Sequence, residues 1–208
     1  MRLVQNFSNN STRHLKFTFV TLGGAYTSRA LLSQHMLDPM SGTFQPQTFY
    51  FEDGGNIPNS ALPLLLYRNV FSERGDTGAT WLEQLFGTHR WTNAWRNGIY
   101  SFHHYHSTSH EVIGVYQGEA LLQLGGEQGQ QVAVRAGDIL VIPAGVGHKN
   151  LGSTNLGVVG AYPGGRSWDL NRGEEGERPR VDRNIAALPL PETDPWQGHR
   201  GLVDIWHR

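Results

Sequence analysis

Four of the ten histidines fall within eight residues, in the run Phe102-His103-His104-Tyr105-His106-Ser107-Thr108-Ser109-His110-Glu111. On an extended strand, side chains alternate between faces, so His104 and His106 point one way while His103 and Tyr105 point the other. Two imidazoles two residues apart on one face can bind a single metal ion. A turn over residues 107–109 would return the chain so that Glu111, at the start of the next strand, faces the same point. The opposite face offers His103 with Tyr105, a pair that needs the less common phenolate ligand. A second segment runs from Gly137 to His148, where an apolar strand ends at Pro143-Ala144-Gly145. That turn cannot continue a ladder and redirects the chain, which leaves His148 just beyond it as a third imidazole. By alternation Tyr100 and Phe102 share the face of His104, and Ile113 and Val115 that of Glu111. They would form an aromatic and apolar pocket wall, or equally barrel core.

The elements that must position these groups read as short strands. Residues 48–51 predict a strand and 53–56 a turn, and 63–70 predict a short buried strand. Residues 77–86 predict a helix, with Trp81, Leu82, Leu85 and Phe86 on one face and Gly87 at the C-terminal cap. Strand-like runs follow at 95–106, 112–116, 120–124, 131–134, 139–142 and 156–162, most of them separated by glycine-containing turns. This spacing indicates an antiparallel sandwich or barrel. Residues 119–136 form a hairpin turning at 125–129. The tail from Pro163 is rich in Gly, Pro, Arg and Glu, with one helical turn expected at 184–188 and its charges at 172–183 read as a solvated surface.

With 26 glycines, 10 prolines and only 17% charged residues, the composition suits turns and strands and not helical bundles. Seventeen basic against eighteen acidic residues lack the excess of a nucleic-acid binder, so no nucleic-acid partner is expected. No apolar stretch approaches the roughly 18 residues needed to span a bilayer, so no membrane partner is expected either. The chain has no cysteine, which leaves His and carboxylate as the means of holding a metal and suits a cytoplasmic setting. The first 37 residues carry Arg2, Arg13, Lys16 and Arg29 but no acid before Asp38. They resemble a transit peptide with a weak apolar run at 17–25, or an upstream extension with Met36 or Met40 as the functional start. The expected division is an N-terminal extension over 1–42 and a single domain over 43–208. His14, His35, His89, His199 and His207 are read as structural, and His103 and His110 as lying behind the ligands or on the surface. No Gly-x-Ser-x-Gly elbow occurs.

The spacing Gly98-x5-His104-x-His106-x4-Glu111-x6-Gly118, followed by Gly137-x5-Pro143-x-Gly145-x2-His148, resembles the two motifs of the cupin superfamily. The flanking segments are similar to small bacterial single-domain cupins of the YjlB type. The resemblance covers roughly residues 45–208. It departs from the family at Gly152, where an Asn often stands four residues after the last histidine; Asn150 is out of register. The resemblance implies an all-β, RmlC-like jelly-roll barrel (a double-stranded β-helix) with a few short peripheral helices. Within it, His104, His106, Glu111 and His148 would hold one divalent ion of Fe, Mn, Ni, Co or Zn. It further implies a homodimer acting on a small oxygenated molecule, as a dioxygenase or isomerase, with Tyr100 and His103 as candidates for proton handling. The alternative is a non-catalytic module that senses a small molecule or carries metal.

Overall fold

The computed structural model describes residues 45–207 and, before them, the backbone of two short strands, β1 (Thr18–Thr21) and β2 (Gly24–Thr27), which pair antiparallel. The chain divides into two units, residues 1–42 and 43–208. Apart from that hairpin, the expectations for the N-terminal extension fall outside the described residues.

In the second unit, apolar runs such as Leu64-Leu65-Leu66-Tyr67 and Ile139-Leu140-Val141-Ile142 are buried at every position. A strand covered on both faces needs no polar alternation. These two runs are β4 (Leu64–Tyr67) and β8 (Ile139–Ile142). Around them lie β3 (Gln47–Phe49), β5 (Trp91–Asn97), β6 (Glu111–Leu124), β7 (Gln130–Arg135) and β9 (His148–Pro163). Together they form one seven-stranded antiparallel sheet in the order β3-β4-β8-β6-β9-β5, with β7 paired to β6. The first half of β6 pairs with β8 and its second half with β7, while β9 follows both halves through three register shifts. Such shifts bend a sheet. The bend centres on Gly118, at φ 68°, where a Cβ would stand 2.2 Å from the Thr154 carbonyl oxygen. Only glycine fits there.

One face of the bent sheet encloses a core of Leu64, Leu66, Ile113, Val115, Leu140 and Ile142 among others. The other face, with Leu65, Tyr67, Val112, Ile139 and Val141, packs under helices α1 (Gly75–Thr88) and α3 (Leu202–Trp206). A third helix, α2 (Arg180–Ala187), lies between them in sequence. The result is the expected all-β barrel with a few short helices. No helix among the described residues is long and apolar enough to cross a membrane.

Several boundaries differ from expectation for identifiable reasons. Helix α1 begins and ends outside 77–86; it buries Gly78, Ala79, Leu82 and Phe86, Trp81 and Leu85 are partly buried, and Gly87 lies inside it with His89 at the cap. The runs 112–116 and 120–124 are one strand, because the kink at Gly118 bends β6 without ending its pairing. The expected strand 95–106 stops at Asn97; beyond it only His104 and Tyr105 form isolated bridges, to His148 and Asn171. β9 starts at His148 and not at 156, since its largely polar, solvent-facing first half is held by pairing with β6 and shows no apolar period. α2 starts earlier than the single turn expected at 184–188, and α3 is too short to have left a period. The charged tail is more than a solvated surface. Arg178 bridges Asp53 and Asp182, and Glu177 accepts the Tyr105 hydroxyl together with the Arg172 and Gly173 amides.

Candidate metal centre

Three pieces of chain meet at one end of the interior core. Glu111 opens β6 on the face of Ile113, and His148 opens β9. The loop between β5 and β6 brings His104 and His106. His104 and His148 exchange backbone hydrogen bonds of 3.1 and 2.9 Å, which set their ring centroids 4.0 Å apart. The His106 ring lies 5.8 Å from that of His104 and 6.2 Å from that of His148. Glu111 Oε2 stands 3.6 Å from His106 Nε2 and 3.5 Å from His148 Nε2. All four side chains are buried.

Each imidazole presents its Nδ1 to a main-chain carbonyl: His104 to Phe102 at 3.4 Å, His148 to Val146 at 3.2 Å and His106 to Asp169. A carbonyl only accepts, so each Nδ1 carries the proton and each Nε2 keeps a lone pair toward the site. Glu111 Oε1 accepts a hydrogen bond of 3.1 Å from the Tyr162 hydroxyl, which accepts one of 2.8 Å from the Trp95 indole N–H. Glu111 Oε2 and His148 Nε2 are then left buried with no hydrogen-bond partner. Among the described residues, no three His or carboxylate side chains are already closed around one point as a metal cluster. The two orphaned atoms nevertheless face each other, an arrangement that costs free energy unless a proton or a metal ion lies between them.

Without an ion, the same groups are electrostatically coupled to one another. Burial opposes ionisation of Glu111, but His106 and His148 outweigh it and hold the carboxyl well below its usual range. Burial likewise opposes a charge on His106, and Glu111 outweighs it, raising His106. Burial, and after it His148, pushes His104 down to about 2.

The four side chains form one wall of a cavity of about 350 Å³, whose other walls include Trp95, Ile99, Tyr100, Ile113, Tyr162 and Trp168. Tyr100 stands at its edge, 48% exposed, with its ring 5.0 Å from His104 and stacked at 4.8 Å on Phe102. The structure does not bring His103 to this cavity. His103 points to the other side, its Nε2 3.0 Å from the Glu127 carboxylate without hydrogen-bond alignment. Tyr105, its neighbour on that face, is buried against Ile57 and Val181. His110 is buried too; its Nδ1 accepts the Ala144 amide at 3.0 Å, and burial, followed by Arg166, pushes it down to about 4. His89 and His207 bond to the carbonyls of Pro195 and Pro191. His14 and His35 lie outside the described residues. Sequence reasoning missed Trp95, Tyr162, Trp168 and Asp169. Strand alternation about Tyr162 was a usable signal for one of them; nothing local marks Asp169.

Residues 96–156 match the Cupin domain family, and a relative aligned over 78% of the chain completes the assignment: the chain belongs to the cupins. It is 42% identical over 165 residues to the uncharacterized protein YjlB of Bacillus subtilis (strain 168), across 78% of this chain and 97% of that one. Among solved structures it is similar to RmlC from Streptococcus suis in complex with dTDP-D-xylose, at 15% identity over 78% of this chain and 95% of that chain, with a TM-score of 0.30. It is also similar to a DUF861-family protein from Thermotoga maritima, at 21% identity over 40% and 86% of the two chains, with a TM-score of 0.27.

Proposed function

We propose that His104, His106, Glu111 and His148 hold one divalent metal ion and that the protein uses it on a small oxygenated molecule in the adjoining cavity, as a dioxygenase or isomerase. The observation that carries this reading is the facing pair of buried acceptors without partners, Glu111 Oε2 and His148 Nε2. Their separation of 3.5 Å suits two donors each about 2.1 Å from a common ion. The donor set of nitrogens and one carboxylate fits Fe, Mn, Ni, Co or Zn. Bound there, such an ion would supply Lewis-acid chemistry and, for iron or manganese, redox chemistry. The chain's own residues set the rest. Trp95, Tyr162 and Trp168 give an aromatic wall for a planar molecule, and the cavity volume lies at the small end for ligand sites. Tyr100, and not the outward-facing His103, stands where a proton could be passed to a bound molecule.

One observation favours a second reading. Apart from the four donors, the cavity lining contains no histidine or carboxylate among the described residues; a general base there would fall to a tyrosine, and a binding or sensing module would need none. We attach a homodimer to this reading through the exposed Leu121 and Leu151 on paired strands β6 and β9, to be tested by light scattering. The decisive experiment is metal analysis of untagged protein purified without added metal, followed by oxygen uptake and product analysis with diols and enols. Metal should be present at one ion per chain and absent from a His104→Ala/His106→Ala variant. Full occupancy in that variant would overturn the assignment.

A further inference from the structure

We propose that Tyr162, held by Trp95, is a positioning residue that leaves Glu111 a single oxygen with which to take a metal ion. This rests on the metal-centre reading above. An indole N–H only donates. At 2.8 Å it occupies a lone pair of the Tyr162 hydroxyl, so the one hydroxyl proton goes to Glu111 Oε1 at 3.1 Å. The order of donation therefore has one solution, Trp95 to Tyr162 to Glu111.

The fold fixes both rings of this chain. Tyr162 is 1% exposed. Trp95 faces Gly160 in the β5–β9 ladder, where a Cβ would stand 2.3 Å from indole carbons, so the ring lies directly on the backbone. A register shift between Thr92 and Trp95, with Asn93 at φ 56°, gives that stretch of β5 its turn toward the cavity. Each of the four proposed donors is thus held by a hydrogen bond on its non-ligating atom. Carbonyls hold the three imidazoles, and Tyr162 holds the carboxylate. Partners of this kind set donor orientation and metal affinity. With Tyr162 gone, both oxygens of Glu111 are free to turn toward the ion.

The test titrates the full chain with Co2+ alone and with Zn2+ alone, against a chelating dye, in wild type, Tyr162→Phe, Trp95→Phe and His104→Ala/His106→Ala. Melting of the metal-free proteins checks folding. Tyr162→Phe should bind about 10- to 100-fold more weakly. Its Co2+ complex should absorb less in the visible, as a second carboxylate oxygen raises the coordination number. Trp95→Phe should shift both readouts the same way by less. A merely structural role would lower the melting temperature and leave the spectrum of the bound ion alone. Unchanged affinity and spectrum in Tyr162→Phe, beside lost binding in the double histidine variant, would overturn the positioning role only. No binding by wild type, or full binding by the double variant, would overturn the metal centre and this proposal with it. Should Tyr162→Phe fail to fold, Trp95→Phe carries the test, and an unchanged spectrum and affinity there would overturn the positioning role.

Discussion

His104 and His148 are oriented from close at hand, by the carbonyls of Phe102 and Val146, each two residues earlier in its own segment. His106 is oriented from far away, by the carbonyl of Asp169, 63 residues along the chain. The side chain of Asp169 also grips the turn after His106, accepting from the Ser107 and Thr108 amides and the Ser107 hydroxyl. Asn171 donates to the same carboxylate, and Asn184 of α2 donates to the Ser107 hydroxyl. Two imidazoles are therefore built by the motifs themselves, while the third is finished by the tail. A spacing motif can specify which donors exist, but not everything that aims them.

Removing the distant support should have the largest effect. Asp169→Ala withdraws a carboxylate from several donors, two of them backbone amides. It should destabilise the fold by about 3 kcal/mol in urea unfolding, since each bond to a charged group contributes on the order of 1.5 kcal/mol or more. It should also weaken metal binding about 10-fold, through the loosened His106. Undiminished metal affinity would show that the His106 ring is aimed without the tail.

The counterpart on the local side is His110→Ala. This removes the acceptor of the Ala144 amide in the turn that leads to His148, and the ring that packs 5.0 Å from Trp206. A buried amide left unpaired, with the vacated space, should cost about 2 kcal/mol. Metal affinity should hold, because Val146 still aims His148. A loss equal to that of Asp169→Ala would erase the contrast between the two regions.

The same contrast explains what was legible in the sequence. The antiparallel, strand-rich class followed from the spacing of turns, and the jelly-roll form from the family resemblance; alternation along a strand from 95 to 106 is the wrong reason for grouping His104 with His106, since that stretch is a loop beyond Asn97. His103 does lie on the opposite face, which removes it from the cavity it was expected to serve. Asp169 and Tyr162 act across long separations through one carbonyl and one hydroxyl, and such bonds leave no period. The polar first half of β9 was hidden for a related reason: its pairing with β6, not any apolar pattern, makes it a strand.

Acid should loosen the distant support before it breaks the barrel. Burial opposes ionisation of Asp169, but the bonds from Ser107, Asn171 and Thr108 outweigh it and hold the carboxyl at about 2, below the ordinary 3.8. A carboxyl held low in the folded state contributes stability that is complete above the ordinary value and is lost as pH falls toward the lowered one. The urea midpoint of wild type should therefore fall between about pH 4 and pH 2 more steeply than that of Asp169→Asn. The effect should be smaller than in Asp169→Ala, since a protonated carboxyl keeps its carbonyl oxygen as an acceptor. Parallel curves would mean that the charge of Asp169 contributes nothing to the grip.

The smallest effect is expected from Arg180→Ala, which removes a half-exposed cation from the same region. Arg180 Nη1 lies 3.6 Å from Asp169 Oδ2, and its side chain is 53% exposed. Its Nη2 donates to Asn171 Oδ1 at 3.1 Å. An exposed ion pair at that distance is screened by water and counterions, so it should contribute about 0.5 kcal/mol, and that part of the loss should vanish at about 1 M salt. Metal affinity should not change, because the bonds that fix Asp169 come from Ser107, Thr108 and Asn171, none of which needs the guanidinium. If Arg180→Ala instead matched Asp169→Ala in lost stability and affinity, the cation would be the element that aims His106. The tail's contribution would then be one of charge, and high salt should mimic the variant in the wild-type protein.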